Sequence, residues 1–150
     1  MEKRINIHEK GQDALKSLFT AAAYLKRSSV DENLLDLVFL RTSQMNGCAY
    51  CIDMHHKDLR FKGETEQRLY GLLTWRETAY YTEREQAALA WTEAVTLCKV
   101  PDELYSLIKK QFSDEEVIDL TIAVNTINSW NRLNIAFNVI PGTYQVGQFK

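Results

Sequence analysis

The chain has 150 residues, 45% of them hydrophobic and 25% charged, proportions that fit one globular domain and exclude a disordered chain, a coiled-coil rod or two separate cores. Its 18 Lys and Arg stand against 20 Asp and Glu, a formal net charge of -2 with no long run of either sign, so no nucleic-acid partner is expected. Residues 1–10 hold no apolar leader, and no apolar stretch is long enough to cross a bilayer; the expectation is a single domain over 1–150, in the cytoplasm and away from membranes.

In chain order, Leu15, Leu18, Phe19, Ala22 and Leu25 recur at steps of three and four, which predicts a helix over 12–27. Ser29-Val30-Asp31-Glu32 has the pattern of a capping box and predicts a second helix through Leu34, Leu35, Val38 and Met45. Asn46-Gly47 breaks that pattern. From Cys48, Ile52, His55, Leu59 and Lys62 keep helical spacing until Gly63, so a third helix is expected to open at the cysteine pair.

A short helix over 64–75 should follow, then a connection at 78–81. Thr82-Glu83-Arg84-Glu85 is another capping box, leading into Ala87, Ala88, Trp91, Ala94 and Val95. Pro101 starts a helix over 102–110. Ser113-Asp114-Glu115-Glu116 caps a long one carrying Leu120, Val124, Ile127, Leu133 and Phe137. Pro141-Gly142 ends it, and residues 141–150 read as a tail too poor in apolar side chains to guarantee order. No alternating strand pattern occurs. The fold class is therefore all-α, a bundle of about seven helices.

Three cysteines without a secretory signal point to reduced thiols rather than an extracellular framework. Residues three and four apart share a helix face, so Cys48, Cys51 and His55 form one stripe. A helix start stabilises thiolate and lowers a thiol pKa from about 8.5 to roughly 3.5–7.5. One cysteine can then attack a peroxide or disulfide, the other resolve the product, and His55 carry the proton. Structural zinc needs four ligands, and one pair, two adjacent histidines and a distant Cys98 do not supply them. No metal and no cofactor are therefore expected. Two buried cysteines with no chemical role remain an alternative. His56 lies off the stripe and reads as surface or interface, Cys98 as a packed spectator, and Trp91 and Trp130 as core or subunit contact.

Arg41-Thr42-Ser43-Gln44-Met45-Asn46-Gly47-Cys48-Ala49-Tyr50-Cys51-Ile52-Asp53-Met54-His55 resembles the alkyl hydroperoxidase D (AhpD)-like branch of the carboxymuconolactone decarboxylase superfamily. Residues 63–70, Trp75-Arg76-Glu77, Thr82–Glu85 and Ile127-Asn128-Ser129-Trp130-Asn131-Arg132 extend the likeness over most of 32–138. The resemblance implies an all-helical domain assembled as a homotrimer or homohexamer, with the cysteine helix near a subunit interface. It makes Cys51 the peroxide-attacking cysteine, Cys48 the resolving partner and His55 the proton relay. The family's usual glutamate, twelve residues before the first cysteine, falls on Asp36, one methylene shorter, and its frequent histidine between the cysteines is Tyr50, which keeps a hydroxyl. The function implied is a thiol-dependent peroxidase acting on hydrogen peroxide or alkyl hydroperoxides, with a thiol or dithiol reductant as partner. The alternatives are a disulfide reductase or electron adaptor for another peroxidase, and a noncatalytic oligomeric module that binds a small ligand.

Overall fold

The computed structural model describes residues 4–149, which form α1 (Ile7–Lys10), α2 (Gln12–Leu25), α3 (Glu32–Asn46), α4 (Ala49–Phe61), α5 (Glu66–Gly71), a 3-10 segment (Leu72–Glu77), α6 (Glu83–Thr96), α7 (Asp102–Gln111) and α8 (Asp114–Ala136). Among the described residues there is no strand, and no helix is long and apolar enough to cross a membrane. The all-α expectation holds. A one-turn helix, α1, precedes the first expected one, so the cysteine helix is the fourth.

Helix α3 is the central element, packed against α4, α6 and α8. Leu34, Leu35 and Val38 join Ala87, Ala88 and Trp91 of α6 and Leu120, Ala123 and Val124 of α8 in one cluster. Leu37 and Leu40 point the other way, onto Leu59, Leu69, Leu72 and Trp75. A helix covered on several sides shows no single apolar stripe, and α3 accordingly carries apolar residues around most of its circumference.

Capping chemistry sets several boundaries. Thr82 and Ser113 form the two expected reciprocal boxes with Glu85 and Glu116. The box expected at Ser29 does not form. Asp31 is the N-cap instead, its carboxylate accepting from the Asn33 and Leu34 N–H groups. Val30 and Leu35 bury side chains in the same cluster on either side of that cap, an apolar clasp that fixes the chain's entry two residues later. Helix α2 stops at Leu25, two residues short of expectation, and the segment expected as one helix to Trp75 is α5 followed by the 3-10 segment through Glu77.

Two further expectations are corrected. The C-terminal tail is docked: Tyr144 is 3% exposed, and its hydroxyl bonds the Asp58 carboxylate at 2.8 Å while its carbonyl accepts from Lys57 Nζ. Cys98 is exposed rather than packed, because the chain leaves α6 there through a positive φ of 54°.

The α3–α4 junction turns on Gly47, at φ 68°. Its N–H bonds the Gln44 carbonyl and the Cys48 N–H bonds the Ser43 carbonyl at 3.0 Å, a left-handed closure that suits glycine. A Cβ at Gly47 would meet nothing within 4 Å, so only backbone strain opposes a side chain. Gly47→Ala should therefore cost about 1 kcal/mol by denaturant titration; an unchanged midpoint would contradict this view of the turn.

Candidate active site

The turn that presents the cysteines is held to α8 by a buried amide network. Asn46 Nδ2 donates to Asn128 Oδ1 and to Asn131 Oδ1, both at 2.9 Å. Asn131, fully buried, returns a bond from Nδ2 to Ser43 Oγ at 3.0 Å. Cys48 follows as the N-cap of α4, its sulfur accepting from the Cys51 N–H at 3.4 Å. Cys51 is then in the first turn, where free backbone N–H groups favour thiolate. The two sulfurs are joined as a disulfide across a Cα separation of 5.4 Å.

The sulfurs are not on the surface: Cys48 is 1% and Cys51 0% exposed. Cys51, however, lines a cavity of about 420 Å³ and Cys48 does not. The apolar wall includes Phe19, Leu35, Phe39, Ile127 and Trp130, with Tyr144 from the docked tail. Phe19 and Trp130 meet with ring centroids 5.2 Å apart. Trp130 is thus a cavity residue and Trp91 a core one.

His55 lines the same cavity one turn beyond Cys51, buried, its ring 5.3 Å from that of Phe39. Its Nε2 has no hydrogen-bond partner. Burial, with the Lys62 charge adding to it, holds the imidazole pKa down at about 3. The ring is therefore neutral at pH 7. The unfolded chain takes up a proton near the ordinary histidine value of about 6.5, whereas the folded chain does not until pH falls to about 3, so this group makes stability decline as pH drops through that window. His55→Gln should remove the contribution: wild type loses more stability than the variant between pH 7 and pH 4 in paired denaturant titrations. Parallel losses would contradict the buried neutral imidazole.

Asp36 and Tyr50, the other two residues singled out from the sequence, also line the cavity. Asp36 does not sit on His55 Nε2, which is unpaired. It accepts from Lys62 Nζ at 2.6 Å, and the same ammonium pairs with Glu32 at 2.7 Å. Burial nonetheless raises the Asp36 carboxyl above its ordinary value, against the pull of Lys62. Tyr50 is 7% exposed, and burial, with the Asp53 charge, raises its phenol pKa. His56 pairs with Glu66 at 3.2 Å on the outer side. Among the described residues no group of three His, Cys, Asp or Glu side chains is arranged to hold a metal ion.

Sequence reasoning missed Asn134. Its Nδ2 donates to the Cys51 sulfur at 3.3 Å, and its Oδ1 is buried without a partner. A signal existed: Asn128, Asn131 and Asn134 recur every three residues on a largely apolar helix, and buried amides persist only where something bonds them.

Comparison with known proteins agrees with this architecture. The model of the carboxymuconolactone decarboxylase family matches residues 10–94. The uncharacterized protein YdfG of Bacillus subtilis is 43% identical over 139 residues, spanning 91% of this chain and 95% of that one. A solved structure of a protein of unknown function from Agrobacterium tumefaciens, for which antioxidant defence as an AhpD has been suggested, superposes with a TM-score of 0.90 at 36% identity, covering 95% of this chain and all of that one. The debrominase Bmp8, solved as a cysteine-to-alanine variant in complex with 2,3,4-tribromopyrrole, shares the fold at a TM-score of 0.81 and 16% identity, covering 91% of this chain and 74% of its own. The family match, the all-helical architecture and the cysteine pair capping α4 together make this chain an AhpD-like member of the carboxymuconolactone decarboxylase family.

Proposed function

We propose that the protein is a thiol-dependent peroxidase in which Cys51 attacks a small hydroperoxide and Cys48 resolves the product as a 48–51 disulfide. One observation carries the reading: of the two paired sulfurs, only that of Cys51 belongs to a residue lining the cavity, alongside a neutral His55 with an unpaired Nε2. His55 takes the Cys51 proton, and the thiolate it creates favours the charged ring in return. The thiolate attacks the terminal peroxide oxygen, the O–O bond breaks, and the departing alkoxide leaves as alcohol with that proton. Cys48 then displaces hydroxide from the Cys51 sulfenic acid, giving water and the disulfide. A thiol reductant returns both cysteines to the dithiol.

Burial of both sulfurs favours small oxidants over protein disulfides, which cannot enter a cavity of this size. That argues against the electron-adaptor role. Fold alone does not choose the reaction, since a debrominase is built on it too. The reading includes assembly with further copies of the chain, in keeping with the resemblance and with the exposed side chains of Phe61, Tyr70 and Leu73.

The test is steady-state turnover with dithiothreitol as reductant. The expected result is consumption of hydrogen peroxide and of cumene hydroperoxide, faster than that of a folded protein disulfide. A disulfide substrate reduced while both peroxides survive would overturn the assignment. Retained binding of a small apolar ligand after alkylation of both thiols, with no peroxide turnover beforehand, would replace it with the noncatalytic one.

A further inference from the structure

His55 Nε2 and Asn134 Oδ1 are the buried side-chain nitrogen and oxygen atoms left without a hydrogen-bond partner among the described residues. Both residues line the cavity onto which Cys51 opens. An unbonded buried polar atom costs stability, so two at one reactive sulfur point to a missing guest. The amide's orientation is settled by chemistry. A disulfide sulfur has no hydrogen to give, so the edge that faces Cys51 at 3.3 Å is the amide N–H, and Oδ1 is the edge left over.

Resting on the peroxidase reading, we propose that Asn134 is a catalytic residue whose Nδ2 steadies the Cys51 thiolate and whose Oδ1 accepts the O–H of the bound hydroperoxide. A hydroperoxide offers one O–H donor and two acceptor oxygens. The O–H meets Asn134 Oδ1, and the oxygen bonded to carbon meets Nε2 once His55 has taken the thiol proton. One amide thus lines the terminal oxygen up with the sulfur. Attack forms the S–O bond and breaks O–O, the alkoxide takes the proton from His55, and the sulfenic acid is left with its sulfur on Nδ2 and its O–H on Oδ1. Cys48 then releases that oxygen as water. The site therefore requires a substrate with a hydrogen on its terminal oxygen and excludes dialkyl peroxides as a class.

The test uses Asn134→Leu and the smaller, uncharged Asn134→Ala. The Cys51 thiol pKa is read in a Cys48→Ser background from the pH dependence of iodoacetamide alkylation, and kcat/KM for tert-butyl hydroperoxide with both cysteines present. Loss of a hydrogen bond to an anion should raise the thiol pKa by about one unit or more and lower kcat/KM by about tenfold or more. A side chain that only fills space would leave the thiol pKa unmoved. Should the leucine variant not fold, Asn134→Ala decides alone, and an unshifted thiol pKa with full activity overturns the proposal. Wild type that consumes no hydroperoxide overturns the peroxidase reading itself. Wild type that does, beside variants with unchanged thiol pKa and kcat/KM, overturns only the role of Asn134.

Discussion

Cys51→Ser should abolish peroxide consumption, a fall of at least about a thousandfold, because the attacking atom is removed rather than misplaced. Cys48→Ser should behave differently. Cys51 keeps its place on the cavity and its bond from Asn134, so the first turnover proceeds and the enzyme stalls as a sulfenic acid that dimedone traps at residue 51. The asymmetry follows from which residue lines the cavity, not from spacing, since the two cysteines are otherwise one turn apart. Trapping at residue 48 in the Cys51→Ser variant, with turnover maintained, would reverse the assignment.

The second large effect lies outside the reacting atoms. Asn131→Ala removes a fully buried amide that accepts from Asn46 and donates to Ser43, and it leaves a void. The combined loss should be about 3 kcal/mol by denaturant titration. Because Asn46 directly precedes the Gly47-Cys48 turn, the variant should also resolve slowly, accumulating sulfenic acid that wild type does not show. Asn46→Ala and Asn131→Ala should be strongly non-additive, since they share one hydrogen bond. Additive losses would mean that the network does not act as a unit.

What could be read from the sequence was what local chemistry decides. The Thr82 and Ser113 boxes close within four residues, and the Cys48–Cys51–His55 stripe lies within two turns of one helix. The Ser29 box failed because a competing acceptor, Asp31, and the burial of Val30 and Leu35 on the same core settle the register. The order of the tail is not legible locally because its anchor is distant: Tyr144 bonds Asp58, 86 residues earlier in the chain. The resemblance aligns Asp36 with the family's glutamate but does not name its partner, Lys62, which comes from the end of α4. Asn134 reaches Cys51 across 83 residues, so the repeat of Asn128, Asn131 and Asn134 marks a row of buried amides without naming this one's partner.

His55 shows how the fold tunes what the sequence names. The same imidazole that would titrate near neutrality in water is held neutral by burial and by the Lys62 charge, a weakened base that gains a proton only when an anion formed beside it offsets that burial. The docked tail adds to that enclosure by placing Tyr144 and Phe149 on the cavity wall, where the two rings stack 5.9 Å apart.

Peptide mapping of reduced protein after one equivalent of hydroperoxide tests the central claim most directly. The account predicts a 48–51 disulfide that forms as fast as the peroxide disappears, with Cys98 still a free thiol. Peroxide consumed while residues 48 and 51 remain dithiol, or oxidation confined to Cys98, would contradict it.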